Sequence, residues 1–258
     1  EAPVPSILRG FSSPVVLEFD YTDAQLLTLL ANDPDPFNRW EAAQRLSLKN
    51  AIELIASPAD TTGATALNDA YIDAMRHVLR HPTLDAAFKE LVLTLPSETY
   101  IAEQLNVVDP QRIHAVREAM RTQLAVALAE DWQWALATHS ENGSYRPDPV
   151  SSGRRALAGM ALTNLCLAAR ESGDSVWPGK ALQRFKDADN MTDRANALHA
   201  LVNSGHELAV PALARFHALF KDDELVLDKW FAMQAGACDR GGHILPAVRQ
   251  LMKHADFS

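Results

Sequence analysis

Helix start signals recur along nearly the whole chain, and they constrain the fold more than any other feature of the sequence. Thr22 and Gln25 have the three-residue spacing of a capping box. The Asp-Pro pairs at 35–36 and 109–110 each place a capping carboxylate before a proline at the first helical position. Asn190 is a further good N-cap. These signals predict a chain built from many helices.

Apolar residues between the start signals recur at three- and four-residue spacing, as on the buried face of a helix. After Asn190, for example, the stripe comprises Met191, Ala195, Leu198 and Val202, and Asp193 stands in the first turn, where the helix dipole favours a negative charge. The helices are predicted at about 22–30, 35–55, 66–80, 83–93, 97–105, 109–138, 151–170, 179–187, 190–204, 207–220, 224–235 and 244–254.

The order of these elements predicts an all-α fold, an α-solenoid-like array of antiparallel helix pairs of the ARM/HEAT type. No repeat of roughly 33 to 47 residues is regular enough to identify a standard repeat from self-similarity alone. The segment 139–149, rich in Pro, Gly and polar residues, is the clearest break; a single surface loop is preferred to a hinge.

One short stretch near the N-terminus alternates in the manner of a β-strand. Val15, Leu17 and Phe19 alternate with Val16, Glu18 and Asp20 after Pro14. Because a lone strand forms no stable sheet, the stretch either pairs with a segment outside this chain or lies as an extended strap on the helices. We prefer the first interpretation.

Charge and hydropathy exclude two classes of partner. The formal net charge of -9 repels polyphosphate and argues against nucleic acid. The longest uncharged run, 156–169, is shorter than the roughly 20 residues that span a bilayer, so no membrane contact is expected. Cys166 and Cys238 stand far apart without a CxxC motif; Cys166 is predicted to be a small buried hydrophobe, and a reducing, cytoplasmic location is favoured.

Motifs for catalysis or metal binding are missing. His206-Glu207 begins a zinc-peptidase motif, but Val210 stands where the second His is required. His77 and His81 have one-turn spacing, yet no Glu base adjoins them and Pro82 ends the helix. The sequence therefore predicts no catalytic, cofactor-binding or metal-ligating residue in this chain.

Two tryptophans leave a further alternative. Trp132 and Trp134 could line a binding groove. Packing in the core or at its boundary is the favoured interpretation, because large aromatic side chains gain most from burial.

Several separated segments carry a family resemblance: Val4–Val15, Phe37–Ala42, Leu93–Ser97, Asp189–Asp193 and Val226–Phe231. In this order they resemble the bacterial alanyl aminopeptidases (aminopeptidase N) of the M1 zinc metallopeptidase family. The resemblance covers essentially the whole chain.

The resemblance implies that residues 1–21 are the end of a β-sandwich with a linker. Residues 22–258 would be the C-terminal helical domain, truncated at its C-terminal end. The parent enzyme would be a zinc-dependent hydrolase that releases N-terminal amino acids from peptides. Its zinc ligands and catalytic residues would lie upstream, and none maps onto a residue here.

From the same resemblance, this part would contact the catalytic and β-sandwich domains, cover the active site and shape the channel through which peptide substrates enter. The chain alone is then expected to be inactive and to bind no stoichiometric zinc. The alternative is a stand-alone helical-repeat scaffold that binds a protein or peptide on its concave face.

Overall fold

A computed structural model describes residues 3–15, 17–57, 67–141, 143–239 and 241–257. These residues form thirteen α-helices and a short 3₁₀ turn at Arg9–Phe11, which confirms the all-α fold. Val16 of the predicted strand and the predicted start of the third helix at residue 66 lie outside the described residues. The helices are α1 Asp23–Asn32, α2 Pro36–Ala56, α3 Asp69–Arg80, α4 Ala86–Leu93, α5 Glu98–Glu103, α6 Pro110–Ala127, α7 Ala129–His139, α8 Pro149–Ser172, α9 Val176–Asp187, α10 Met191–Ser204, α11 Ala209–Phe220, α12 Glu224–Ala235 and α13 Ile244–Leu251.

Contacts along the chain divide it into two compact units. Unit 1 comprises Glu1–Glu141 with Arg146–Leu157, and unit 2 comprises Asn142–Tyr145 with Ala158–Ser258. The division in sequence therefore falls within α8, after Leu157, and also within the polar segment 139–149, of which residues 142–145 belong to unit 2. Each unit is described by itself below.

Most predicted N-caps form as expected. Thr22 and Gln25 make a reciprocal capping box at the start of α1. The carboxylates of Asp35 and Asp109 accept backbone N–H groups at the starts of α2 and α6, each with proline in the first turn. Asn190 accepts from the backbone N–H of Asp193 at 2.9 Å. These local signals fix the helix starts because each satisfies amides that the helix itself leaves unpaired.

Two predicted helix starts, at residues 83 and 151, are displaced to Ala86 and Pro149. Asp85, not Thr83, caps α4, since its carboxylate accepts from Phe88 N at 2.9 Å while Thr83 N donates to the His81 ring. Asp148, not a serine at 151 or 152, precedes α8 and accepts from Ser151 N at 3.0 Å. That backbone hydrogen bond is the main reason that the pKa of Asp148 falls to about 2.

The predicted long helix from 109 to 138 is interrupted. Leu128, fully buried, separates α6 from α7 with non-helical dihedrals. Side chains satisfy carbonyls near the break: Trp132 Nε1 donates to Leu124 O at 3.3 Å and Arg76 Nη2 to Ala127 O at 3.3 Å. The longest helix is instead α8, with 24 residues.

The described residues form no strand at 15 or 17–20, where the backbone hydrogen bonds are local: Val15 N donates to Ser13 O at 3.0 Å and Tyr21 N to Phe19 O at 3.2 Å. Arg45 instead donates to the carbonyls of Leu17 and Phe19, both at 3.4 Å. Tyr21 Oη donates to Pro5 O at 2.9 Å. The described residues of this segment lie along α2, as in the extended-strap alternative, and pairing with a segment outside this chain stays a prediction.

Each unit has its own core. In unit 1, Tyr71 is buried and shares a 2.5 Å hydrogen bond with Ser47, and burial raises the pKa of its phenol. In unit 2, Phe185 and Phe216 are fully buried with ring centroids 6.5 Å apart. Cys166 is buried as predicted, and burial raises the pKa of its thiol to about 12.

Gly153 marks a close approach between α8 and α4 in unit 1. A Cβ atom there would lie 2.8 Å from the backbone N of Ala87 and 2.9 Å from its Cβ. Neither atom is the end of a flexible side chain, so one of the two helices would have to shift. Glycine at 153 thus sets the spacing of the pair.

We expect Gly153→Ala to lower the free energy of unfolding by about 1–3 kcal/mol, the usual cost of overpacking. Gly179→Ala is the matched control, because nothing lies within 4 Å of a Cβ at that α9 position. The control should gain up to about 1 kcal/mol from helix propensity alone. Urea unfolding followed by circular dichroism measures both; equal stability of the two variants would contradict the close approach.

Candidate functional sites

A buried carboxylate organises one side of unit 1. Asp131, in the first turn of α7, accepts from Arg76 Nε at 3.0 Å and from Arg80 Nε at 2.7 Å. Both arginines belong to the last two turns of α3, so one acidic group joins α3 to α7. The guanidinium of Arg80 also lies 4.5 Å from the ring centroid of Trp134, in cation–π range. Both carboxylate oxygens of Asp131 are therefore used in ion pairs that join α3 to α7.

Two further basic groups lie beside Trp134. The Lys89 ammonium lies 5.6 Å from its ring centroid, and the His139 ring meets it edge-on at 6.0 Å. Trp132 is 2% exposed and Trp134 is half-buried. The core interpretation therefore holds for Trp132, whereas Trp134 is a boundary residue that packs against cations.

Lys89 is a buried cation without an acidic partner. Its side chain is 3% exposed, and it makes no hydrogen bond or ion pair with the described residues. Burial lowers its pKa, while the charge of Asp85 acts in the opposite direction. Burial and the nearby Lys89 also lower the pKa of His139, whose Nε2 is enclosed without a partner. The cluster holds basic groups with no general base beside a nucleophile, so it can attract an anion but has no catalytic arrangement.

Among the described residues, neither His77 with His81 nor His206 belongs to a group of three potential metal ligands. His77 and His81 meet edge-on with ring centroids 5.6 Å apart, and His81 Nδ1 accepts from Thr83 N. Among the described residues, no carboxylate completes a metal-binding set with them. His206 Nδ1 accepts from Leu208 N just before α11, so this residue caps a turn instead of lying on a zinc-binding helix.

Unit 2 brings together three potential metal ligands that sequence reasoning missed. His217 comes from α11, and His254 and Asp256 follow α13. His217 Nε2 lies 2.6 Å from Asp256 Oδ2, and His254 Nδ1 lies 3.7 Å from the same oxygen. One ligand atom from each residue lies within 4.8 Å of the other two. We call these residues the His217 cluster.

Aromatic rings hold the His217 cluster in position. Trp230 lies 5.0 Å from the His217 ring and 5.3 Å from the His254 ring, measured between centroids. Trp230 Nε1 donates to Leu213 O at 3.0 Å, which fixes its indole on α11. Phe231 packs edge-on against His254 at 5.7 Å. Both imidazoles therefore have defined orientations.

The sequence carried one weak signal for this cluster. His254-Ala255-Asp256 places an imidazole and a carboxylate two residues apart. His217 lies far upstream, and only the packing of α11 against the segment after α13 brings it close. No sequence pattern near these residues predicts that contact.

The architecture places the chain in the class of all-α helical-repeat proteins. The chain belongs to the DUF3458_C family, a domain of unknown function described as ARM repeats, which matches residues 23–258.

Relatives with established names are similar along the whole chain. Aminopeptidase N of Caulobacter vibrioides is 36% identical over 100% of this chain and 29% of its own length. Aminopeptidase N of Escherichia coli is 33% identical over 99% of the chain and 28% of its own length. The crystal structure of Legionella pneumophila aminopeptidase A in complex with aspartic acid superposes with a TM-score of 0.81 and 26% identity, covering 100% of this chain and 30% of that one.

The chain thus spans less than a third of the length of these relatives. In the part of the chain that the structure describes, no helix combines the length and the apolar character needed to cross a membrane.

We expect Lys89→Met to leave the melting temperature unchanged or raise it, because an unpaired buried charge is replaced by an apolar side chain of similar length. Lys229→Met, at an exposed position of α12, is the matched control for the loss of one charge. Calorimetry at neutral pH compares the two. A melting temperature for Lys89→Met clearly below that of the control would show that the ammonium stabilises unit 1 through Trp134.

Proposed function

We propose that this chain is the helical domain of a larger zinc-dependent M1 aminopeptidase that removes N-terminal amino acids from peptides in the cytoplasm. The observation that carries the proposal is the pattern of coverage. Relatives named Aminopeptidase N match the chain from end to end, yet the match takes up only 28–29% of their own length. The catalytic machinery would lie in the remaining part.

The residues of the chain support a non-catalytic role. His206 and Glu207 lack the second histidine of the zinc-peptidase motif, and His206 Nδ1 is engaged by Leu208 N. The catalytic zinc of such an enzyme therefore does not fit these residues. Of the basic groups around Trp134, Lys89 is buried, and Arg80 is held by Asp131; among the described residues, no hydrogen bond joins these groups to a serine or cysteine.

In this proposal the helical domain covers the active site and leaves a restricted channel. Peptides would pass through the channel and folded proteins would be excluded. Enclosure also removes water from the reacting groups and strengthens their electrostatic interactions. Residues 1–21 would link the domain to a β-sandwich, and the domain would contact the sandwich and the catalytic domain within one polypeptide.

The isolated chain is expected to release no amino acid from an alanyl chromogenic substrate, with or without added Zn²⁺, because no zinc-peptidase motif is present. The positive control is the native protein, captured from cell extract with an antibody raised against this chain. Its band on a blot should be several-fold larger than 28.3 kDa and should co-purify with zinc-dependent aminopeptidase activity.

Two results would contradict this proposal. Zinc-dependent turnover by the isolated chain would show that it carries catalytic residues of its own. A native band at the size of the chain, without associated activity, would favour the stand-alone helical scaffold, and affinity capture on the folded chain would then identify its protein or peptide ligand.

A further inference from the structure

We infer that His217, His254 and Asp256 form a binding site for one divalent transition-metal ion of the zinc type, separate from any catalytic metal of a parent enzyme. The inference replaces the sequence-based expectation that the chain binds no stoichiometric zinc. It depends only on residues of unit 2 and does not require the proposed aminopeptidase function.

The spacing of the ligand atoms fits a small tetrahedral ion. Zinc bonds of about 2.0–2.2 Å to nitrogen and oxygen at tetrahedral angles place neighbouring ligand atoms about 3.3 Å apart. The observed separations from Asp256 Oδ2 are 2.6 Å to His217 Nε2 and 3.7 Å to His254 Nδ1. Bringing these two separations to the ideal value changes each by less than an ångström. The separation of the two imidazole ligand atoms, which is within 4.8 Å, shortens by at most about 1.5 Å through side-chain torsions.

The donor set selects the class of metal. Two imidazoles and one carboxylate suit zinc and its first-row neighbours rather than calcium or magnesium, which prefer oxygen ligands throughout. Three protein ligands leave a fourth position for water. Because the ligands bind in their deprotonated forms, affinity falls as pH drops below the range where imidazole is neutral.

Two local contacts compete with the metal. His217 Nε2 is within hydrogen-bond distance of Asp256 Oδ2, and His254 Nδ1 accepts from Asp256 N at 3.2 Å. Coordination through these atoms would replace both hydrogen bonds. The surrounding rings of Trp230 and Phe231 remain in place, so the imidazoles lose little orientational freedom on binding.

A metal at this site would reinforce a weakly anchored element. None of the eight residues of α13 is buried, and Leu245 in it is 55% exposed. The His217 cluster joins the segment after α13 to α11, and the Trp230 ring packs against both imidazoles. A bound ion would stabilise unit 2 against unfolding, since it binds the folded arrangement only.

The test is calorimetric titration of the folded 258-residue chain with Zn²⁺, together with Co²⁺ absorption spectroscopy at neutral pH. We expect one equivalent of Zn²⁺ to bind, a raised melting temperature that EDTA reverses, and visible Co²⁺ bands of the intensity typical of tetrahedral coordination.

Ring-preserving variants separate coordination from packing. His217→Phe and His254→Phe keep the aromatic contacts with Trp230 but remove one ligand each, and should weaken Zn²⁺ binding at least tenfold. Asp256→Asn keeps an oxygen acceptor and loses the charge, with the same expected effect. His77→Phe is the matched control, because it removes an imidazole from a histidine pair that has no carboxylate, and it should bind Zn²⁺ like the unmodified chain.

No saturable Zn²⁺ binding to the folded chain would overturn the inference. Equal affinity in His217→Phe, His254→Phe and the unmodified chain would also overturn it, since the ion would then sit elsewhere. Neither result tests the proposed aminopeptidase role. That role is tested by the size and activity of the native polypeptide.

Discussion

Satisfaction of backbone amides at helix starts is the constraint on which the rest of the structure depends. Most of the helices here are six to twelve residues long, a length at which an isolated helix is marginal in water. An N-cap side-chain oxygen accepts from a first-turn amide at the start of nine of the thirteen described helices. These caps are Thr22, Asp35, Asn68, Asp85, Ser97, Asp109, Asp148, Asn190 and Asp223. Each cap fixes where a helix begins, and packing then selects which face is buried.

This dependence explains how much of the fold the sequence could predict. Asp-Pro pairs and the Thr22–Gln25 box act within three residues, so their outcome is legible without knowing the tertiary structure. At the start of α4, two suitable caps stand two residues apart, Thr83 and Asp85. His81 engages the threonine and leaves the role to the aspartate. Local propensity offers both solutions, and a contact outside the helix decides between them.

The break at Leu128 is a second feature that the local sequence does not predict. The apolar seam runs on from α6 into α7 without Gly or Pro, so periodicity alone predicts one helix. The interruption is sustained by Arg76, which donates to the Ala127 carbonyl from a different helix. An arginine more than fifty positions upstream gives no signal in the local pattern. The extended strap near Leu17 depends similarly on Arg45 from α2.

Candidate sites depend on such distant contacts even more strongly. A lysine at position 89 of α4 predicts an exposed side chain, because lysine is charged. Packing around Trp134 buries it instead. His217 and Asp256 become neighbours because Trp230 holds α11 beside the segment after α13.

The Lys89 ammonium and the His217 cluster affect the free energy of folding in different ways. An unpaired buried ammonium opposes folding unless an anion or a ring face compensates it. The His217 cluster instead places an imidazole and a carboxylate within hydrogen-bond distance, and the Trp230 ring packs against both imidazoles. Helix α13 buries none of its residues and gains from any bond that ties its end to α11. A metal at the His217 cluster would therefore act on stability rather than on chemistry.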